Sequence, residues 1–385
     1  MMLKRFIRPL MAAVTLLPGF AASTRCANLP PIKTVFLIVM ENEDWQNVQN
    51  SSSAPYLNQT LLPISSYCSQ YFNPPGIHPS LPNYLWLESG TNFGILDDND
   101  PASDHQSTPN HLVTLLNNAG VSWKAYEEDI PGTNVPLSNY NGYTVRHDPF
   151  VYFDDVTGTN NPIWPYAIAH IRPYTEFMSD LASNTVAQYN FLGPDICDDG
   201  HNTCAPLNNN IRQGDAWLST EIPKITNSLA YQNNGAIFIA WDENNYDNQP
   251  VGLLLLSPLA KGGGYVSTNY YTHSSTLRTF QEIFAVTPLL RDAANAADLS
   301  DLFVPPNNPA TNGFRVSGCV KLANGAFTFT VTGATPGATN LIQSSTDLSI
   351  WTTISTIIPT INTFTITDTS ATNASRRFYR VLQFQ

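Results

Sequence analysis

Two apolar stretches of this chain each end in a pair of hard oxygen donors. The run KTVFLIVM, residues 33–40, is followed at once by Glu41 and Asn42, and GAIFIAW, residues 235–241, by Asp242 and Glu243. Carboxylate and amide oxygens are what a divalent cation takes as ligands. One such pair would read as a solvated turn at a strand end, but two in one chain read as halves of one site. Glu41, Asn42, Asp242 and Glu243 are therefore the candidate metal ligands.

A second group lies in Gly76-Ile-His78-Pro-Ser80-Leu-Pro82-Asn83-Tyr84. Ser80 ahead of Leu81 and Pro82 reads as a helix N-cap with proline in the first turn. A serine there would face free backbone N–H groups and the positive end of the helix dipole, which favour an anion and a nucleophilic alkoxide. Most N-cap serines do nothing but cap, so Ser80 becomes a candidate nucleophile only beside the metal ligands. Two histidines have useful surroundings. His201 sits in the polar loop Gly193-Pro-Asp195-Ile-Cys197-Asp-Asp199-Gly-His201-Asn-Thr-Cys204, and His273 stands at the start of a helical TLRTFQEIF segment. His105, His111, His147 and His170 have no context that assigns them a role.

The elements that must position these groups follow from hydrophobic patterning. Residues 33–40 and 235–241 read as strands buried on both faces, as do Gly252-LLLLSP and, around residues 121–128, VSWKAYEE. Helical spacing appears around residues 111–120 and 215–235, each ending at a glycine suited to a C-cap. Strands alternating with helices predict an α/β fold, a doubly wound and mostly parallel sheet with helices on both faces. Ligands bind such sheets beyond the carboxyl ends of the strands, where the donor pairs fall. Residues 91–173, rich in Asn, Asp, Pro and aromatics, read as loops forming a lid or pocket wall. After Phe303 the composition shifts. VPPNNPATNG, residues 304–313, reads as a linker, and the short alternating runs of 314–385 predict a small all-β sandwich with no catalytic role.

Five blocks now stand in order: VFLIVMENEDW, IHPSLPNYLWLESG, GPDICDDGH, IAWDENN and YYTHSSTLRTFQEIF. Together they resemble the phosphoesterase family of secreted acid phosphatases and bacterial phospholipases C, within the alkaline phosphatase superfamily. The resemblance spans about residues 32–303 and implies an alkaline phosphatase-like α/β/α sandwich holding one divalent metal ion. It implies Glu41, Asn42, Asp242 and Glu243 as ligands, and Ser80 as a nucleophile that also touches the metal. His78 and Asn83 would bind substrate phosphate, and His201 and His273 would assist proton transfer. The third block departs from the family pattern, leaving Asp195 and Asp199 without an assignment. The C-terminal stretch separately resembles fibronectin-like modules, RRFYRV being its best cue.

The start of the chain, MMLKRFIRPLMAAVTLLPGFAAS, sets basic residues before a short apolar run and then small residues, the layout of a signal peptide over residues 1–27. Pro18 and Gly19 interrupt a run already short of the roughly 20 residues a membrane span needs. The expected mature chain, with a catalytic domain over 28–303, is therefore secreted or periplasmic and has no transmembrane segment. Disulfides are permitted there, with Cys197–Cys204 as one candidate and Cys26–Cys68 as a second. A formal charge of −12 argues against nucleic acid as a partner. The expected activity is hydrolysis of a small phosphate monoester through a phosphoserine, favoured because no amphipathic lipid-docking helix is evident. The alternatives are a phospholipase C-type diesterase acting on phospholipid head groups and a non-catalytic carbohydrate- or surface-binding protein. A surface contact through the C-terminal module is compatible with any of the three.

Overall fold

The candidate ligands are carried by a single large sheet. The computed structural model describes residues 29–305, 315–346, 350–373 and 376–384. The expected signal peptide, Cys26 with its bridge to Cys68, and most of the expected linker lie outside the described residues. The strands are β1 (Thr34–Met40), β2 (Ser66–Cys68), β3 (Tyr71–Phe72), β4 (Trp123–Glu127), β5 (Ile171–Pro173), β6 (Tyr189–Gly193), β7 (Gly235–Trp241), β8 (Leu253–Leu256), β9 (Tyr265–Ser267) and β10 (Tyr271–Thr272). All but β3 and β10, which pair with each other, join in the order β5-β4-β6-β1-β7-β8-β2-β9.

From β5 to β7 every neighbouring pair is parallel. The connection from β4 to β5 runs one way along the sheet, and those from β5 to β6 and β6 to β7 run the other. Right-handed crossovers then place the helices on opposite faces, as a doubly wound sheet requires. The exception is β8, antiparallel to both β7 and β2. The connection 242–252 is too short for a helical crossover, so the chain turns straight back. Val35–Met40 and all of β7 are buried, which explains the unbroken apolar runs, each large side chain contributing roughly 1.5–3 kcal/mol.

The helices depart from expectation at their ends. The first runs from Leu112 to Asn118 and gives way to Gly120, whose φ of +73° suits the residue. The second spans Asn210–Thr226, and Ser228 then caps a separate turn, Leu229–Gln232. Gly235 is no C-cap. It opens β7, where a Cβ would lie 2.5 Å from the Tyr231 Cα, so close packing and not helix termination excludes a side chain.

The C-terminal strands form two three-stranded antiparallel sheets, Arg315–Lys321 with Phe327–Thr332 and Thr363–Asp368, and Thr352–Ile357 with Thr339–Ser345 and Phe378–Phe384. Phe329, Val331, Ile342 and Ile366 make a core drawn from both sheets, the arrangement of a sandwich.

The helix that presents Ser80 is Ser80–Ser89, and its far end is held by a buried ion cluster. His111 places Nδ1 2.9 Å from Glu88 Oε1 and Nε2 3.0 Å from Asp155 Oδ1, with its ring stacked on Phe153. Burial alone would lower the His111 pKa, but the hydrogen bonds to Asp155 and Glu88 outweigh it and the net shift is upward. A histidine whose folded pKa is raised adds stability that is complete below its unfolded pKa and is lost as pH rises through the folded one. His111→Gln should therefore lower Tm more at about pH 5 than at about pH 9. Equal losses at both pH values, measured by thermal denaturation, would show that the imidazolium is not what holds this end of the helix.

Candidate functional site

The register of the central strands brings the donor pairs together. Met40 lies opposite Trp241 where β1 and β7 run parallel, so the next residues, Glu41 and Asp242, emerge side by side from the carboxyl end of the sheet. The Asp242 amide donates to the Met40 carbonyl at 3.0 Å. The Asn42 amide, from a backbone with φ of +41°, donates to Asp242 Oδ1 at 3.0 Å. One end of the Asn42 carboxamide sits 2.9 Å from Glu41 Oε2 and 3.2 Å from Asp242 Oδ1. With nitrogen there, the amide donates to both carboxylates. With oxygen there, three hard oxygens converge at separations close to the roughly 3 Å edge of an octahedron of oxygens bound at about 2.1 Å.

Ser80 completes this group from the first position of its helix. Its Oγ donates to Glu41 Oε2 at 3.1 Å and lies 3.5 Å from Glu243 Oε1. Ser80 is not the cap that its sequence position suggests. Pro79 occupies the N-cap, and the amide of the second helical residue, Leu81, donates to Asp98 Oδ1 at 3.0 Å. The serine hydroxyl is thus turned toward the carboxylates and away from its own helix.

The carboxylates of Glu41, Asp242 and Glu243 crowd one another and are all buried. Burial, followed by the charges of Asp242 and Asp199, drives the Glu41 pKa well above the usual range. Burial pushes Asp242 up to about 7, and burial with the charges of Asp242 and Asp98 pushes Glu243 up to about 9. Buried acids this close cannot all stay ionised unless a cation shares their space. The donor set suits a divalent ion: the Asn42 carboxamide joins Glu41 and Asp242, Glu243 reaches the same group through Ser80, and ligand atoms of Glu41, His147 and Asp199 lie within 4.8 Å of one another.

The expected substrate-binding residues sit at the same edge. His78 Nδ1 bonds Glu243 Oε2, and its ring stacks on Tyr246 at 4.0 Å. Asn83 Nδ2 holds the Ile77 and Pro79 carbonyls at 3.0 and 2.9 Å, while its buried Oδ1 has no partner. Asn83 therefore braces the turn that carries His78 and Ser80. His273 is placed differently from a proton shuttle. It is fully buried, with Nε2 2.5 Å from the Asp242 carbonyl and Nδ1 3.0 Å from the Tyr71 hydroxyl, so both nitrogens are engaged in positioning the end of β7. Burial lowers its pKa to about 4, consistent with a neutral ring.

His201 lies in the loop that follows β6, closed by the Cys197–Cys204 disulfide. Its amide donates to Asp199 Oδ1 at 2.8 Å, and Arg146 Nη2 donates to its Nε2 at 3.3 Å. Replacing both cysteines by serine should cost about 2–3 kcal/mol on the loop-closure account. The resulting fall in Tm would be accompanied by a larger loss of turnover than of metal content; unchanged turnover would detach this loop from catalysis.

Sequence patterns gave no reason to choose four other residues found here. Tyr84 donates to Glu41 Oε1 at 2.5 Å and stacks nearly parallel on His147. His147 bonds Asp199 Oδ2 through Nδ1 at 3.0 Å and aims a buried, unpartnered Nε2 toward Glu41 Oε1, 3.3 Å away. Asp98 and Arg146 form an ion pair at 3.3 Å. Asp98, Arg146 and His147 come from the irregular segment 91–173, so that stretch does wall the site. Asp199, left unassigned by the departing third block, belongs to the same cluster.

A serine among carboxylates at the carboxyl edge of a doubly wound sheet is placed where such sheets bind ligands, and the comparisons with known proteins identify the class as hydrolases of phosphoric ester bonds. The Phosphoesterase family model matches residues 64–287, more than half of the chain and a stretch that includes Ser80, His201, Asp242, Glu243 and His273. The chain belongs to the phosphoesterase family. It is 27% identical over 286 residues to the phosphatidylinositol-3-phosphatase of Mycobacterium tuberculosis, covering 74% of this chain and 86% of that one. It is 26% identical over 254 residues to the acid phosphatase of Aspergillus fumigatus, covering 63% of this chain and 52% of that one. The chain thus spans about half the length of that fungal relative. A solved structure, a protein in the alkaline phosphatase superfamily from Vibrio parahaemolyticus, superposes with a TM-score of 0.46 at 10% identity, over 85% of this chain and 83% of that one.

Proposed function

We propose that this chain is an exported, metal-dependent phosphomonoesterase of acid phosphatase type that works through a phosphoserine on Ser80. The observation that carries the reading is the Ser80 hydroxyl, set 3.1 Å from Glu41 and 3.5 Å from Glu243 within the cluster of hard donors. A divalent ion held by Glu41, Asn42, Asp242 and Glu243 would supply the positive charge that favours the serine alkoxide and polarises a phosphoryl oxygen.

The chain's own groups account for the rest. Glu41 Oε2 is placed to take the Ser80 proton as Oγ attacks phosphorus in line. The new Ser–O–P bond forms as the ester O–P bond breaks, and the departing oxygen takes up a proton. His201, half-buried in the loop beside the cluster where His273 is fully buried against Asp242 and Tyr71, is assigned to that oxygen, and would serve it by exchanging the contact of its Nδ1 with Asn202 or of its Nε2 with Arg146. Water then cleaves the phosphoserine.

Monoesters are favoured over diesters by the relatives, since a phosphatidylinositol-3-phosphatase and acid phosphatases all release a terminal phosphate. The first of these also makes a lipid head-group monoester a reasonable substrate class. Among the described residues no helix is long and apolar enough to cross a membrane. The Cys197–Cys204 disulfide and the N-terminal sequence support export. The test is turnover of an aryl phosphate monoester beside a phosphocholine diester, with and without chelator. Monoester turnover lost on chelation is the expected result. Diester turnover alone would replace the reading with a phospholipase C type, and silence on both would leave only a binding protein.

A further inference from the structure

We propose that Arg146 is the substrate-binding cation that reads the second negative charge of a phosphomonoester, and so sets the preference for monoesters over diesters. The proposal rests on the phosphoesterase reading of the Ser80 site.

The first support is an unused set of donors. The Arg146 side chain is only 14% exposed, yet among the described residues it makes one hydrogen bond, from Nη2 to His201 Nε2. Its Nε is buried without a hydrogen-bond partner, because Asp98 Oδ2 lies 3.3 Å away and off the N–H direction. A guanidinium carries five N–H donors in a planar fork, and buried ones are normally satisfied. A fork left mostly open suits a group with several acceptor oxygens on one face, and phosphate is such a group.

The second support is position. Asp98 accepts from the Leu81 amide, the residue after Ser80, and pairs with Arg146, so a single carboxylate ties the guanidinium to the nucleophile's helix. The same contact occupies the Leu81 amide, one of the free N–H groups at the start of that helix. Arg146 brings a guanidinium to this cluster, paired with Asp98 and bonded to His201. A monoester carries close to two negative charges at neutral pH and a diester one, and the oxygen that distinguishes them is the one such a fork would hold.

The test compares metal-loaded wild type, Arg146→Ala and Arg146→Lys. It measures kcat/KM on p-nitrophenyl phosphate and on bis(p-nitrophenyl) phosphate, inhibition by inorganic phosphate, metal content and Tm. For Arg146→Ala we expect monoester kcat/KM to fall about a hundredfold, the scale of losing one charge-stabilising donor. Diester kcat/KM should fall less than about tenfold, phosphate inhibition should weaken in step with the monoester, and added guanidinium should restore part of the monoester rate. Arg146→Lys, which keeps the charge without the fork, should fall between wild type and Arg146→Ala and serves if that variant does not fold. Equal losses on both esters with no guanidinium rescue would reduce Arg146 to a structural counter-ion and overturn the proposal. Where diester turnover is too slow to read, phosphate inhibition decides. If the wild type turns over neither ester, the phosphoesterase reading fails, and calorimetric phosphate binding still judges Arg146: equal affinity in wild type and Arg146→Ala would refute its role.

Discussion

Ser80→Ala should lose phosphate-ester turnover by about ten-thousandfold or more, the scale seen when a covalent nucleophile is removed. The same variant should keep its metal. Four other donors, Glu41, Asn42, Asp242 and Glu243, remain, and alanine at the first position of the helix removes no cap, because Pro79 and Asp98 serve that end. Inorganic phosphate should still bind, since Arg146 and the metal site are intact. Deletion of the hydroxyl also removes a hydrogen bond donated to a buried carboxylate, worth about 1–3 kcal/mol, so a modest fall in Tm accompanies the loss of activity. The diagnostic is the split between a large effect on kcat and little on metal content. Retained turnover would remove Ser80 as nucleophile and shift attention to a water activated within the same cluster.

Asp242→Asn is expected to act in the opposite pattern. Loss of an outer-shell partner alone costs metal affinity about 10–100-fold, so loss of a charged ligand should cost at least that. Turnover at limiting metal should collapse and recover in part at high metal. The metal-free protein should behave differently. Asp242 lies among Glu41, Glu243 and Asp199, and its ionised form raises the pKa of all three. An isosteric amide relieves that repulsion while it still accepts from the Asn42 amide. Metal-free Asp242→Asn should therefore be at least as stable as metal-free wild type, and added metal should raise its Tm much less. A variant destabilised equally with and without metal would mean that Asp242 is a structural residue.

The two strand ends were legible because a strand buried on both faces leaves an unbroken apolar run, and the polar residues that end it stand out. What patterning cannot supply is the partner. That Glu41 meets Asp242 follows from the β1/β7 register, a long-range property that either sequence segment alone leaves open. Ser80 was visible through its position before Leu81 and Pro82. The role suggested by that position was a different one, since capping rules describe an isolated helix and here Asp98 supplies the acceptor from seventeen residues away.

His273 shows the limit from the other side. Its place at a helix start was correctly anticipated, but strand β7 closes over it and uses both ring nitrogens, which turns an expected proton donor into a brace. Asp98, Arg146 and His147 were unreadable for a further reason. They lie in the aperiodic stretch 91–173, where no repeating pattern marks an inward-facing residue and position is fixed by ion pairs, hydrogen bonds and ring stacking formed in the folded chain. The β8 reversal, by contrast, could have been foreseen from the short 242–252 connection.

The central claim is that Ser80 becomes phosphorylated during turnover, and acid quenching of the metal-loaded enzyme with an aryl phosphate followed by peptide mass spectrometry tests it most directly. The account predicts one added phosphoryl group on the peptide containing Ser80, absent in Ser80→Ala and absent when chelator precedes substrate. Full turnover with that peptide unmodified at every quench time, or with the phosphoryl group on another residue, would contradict it.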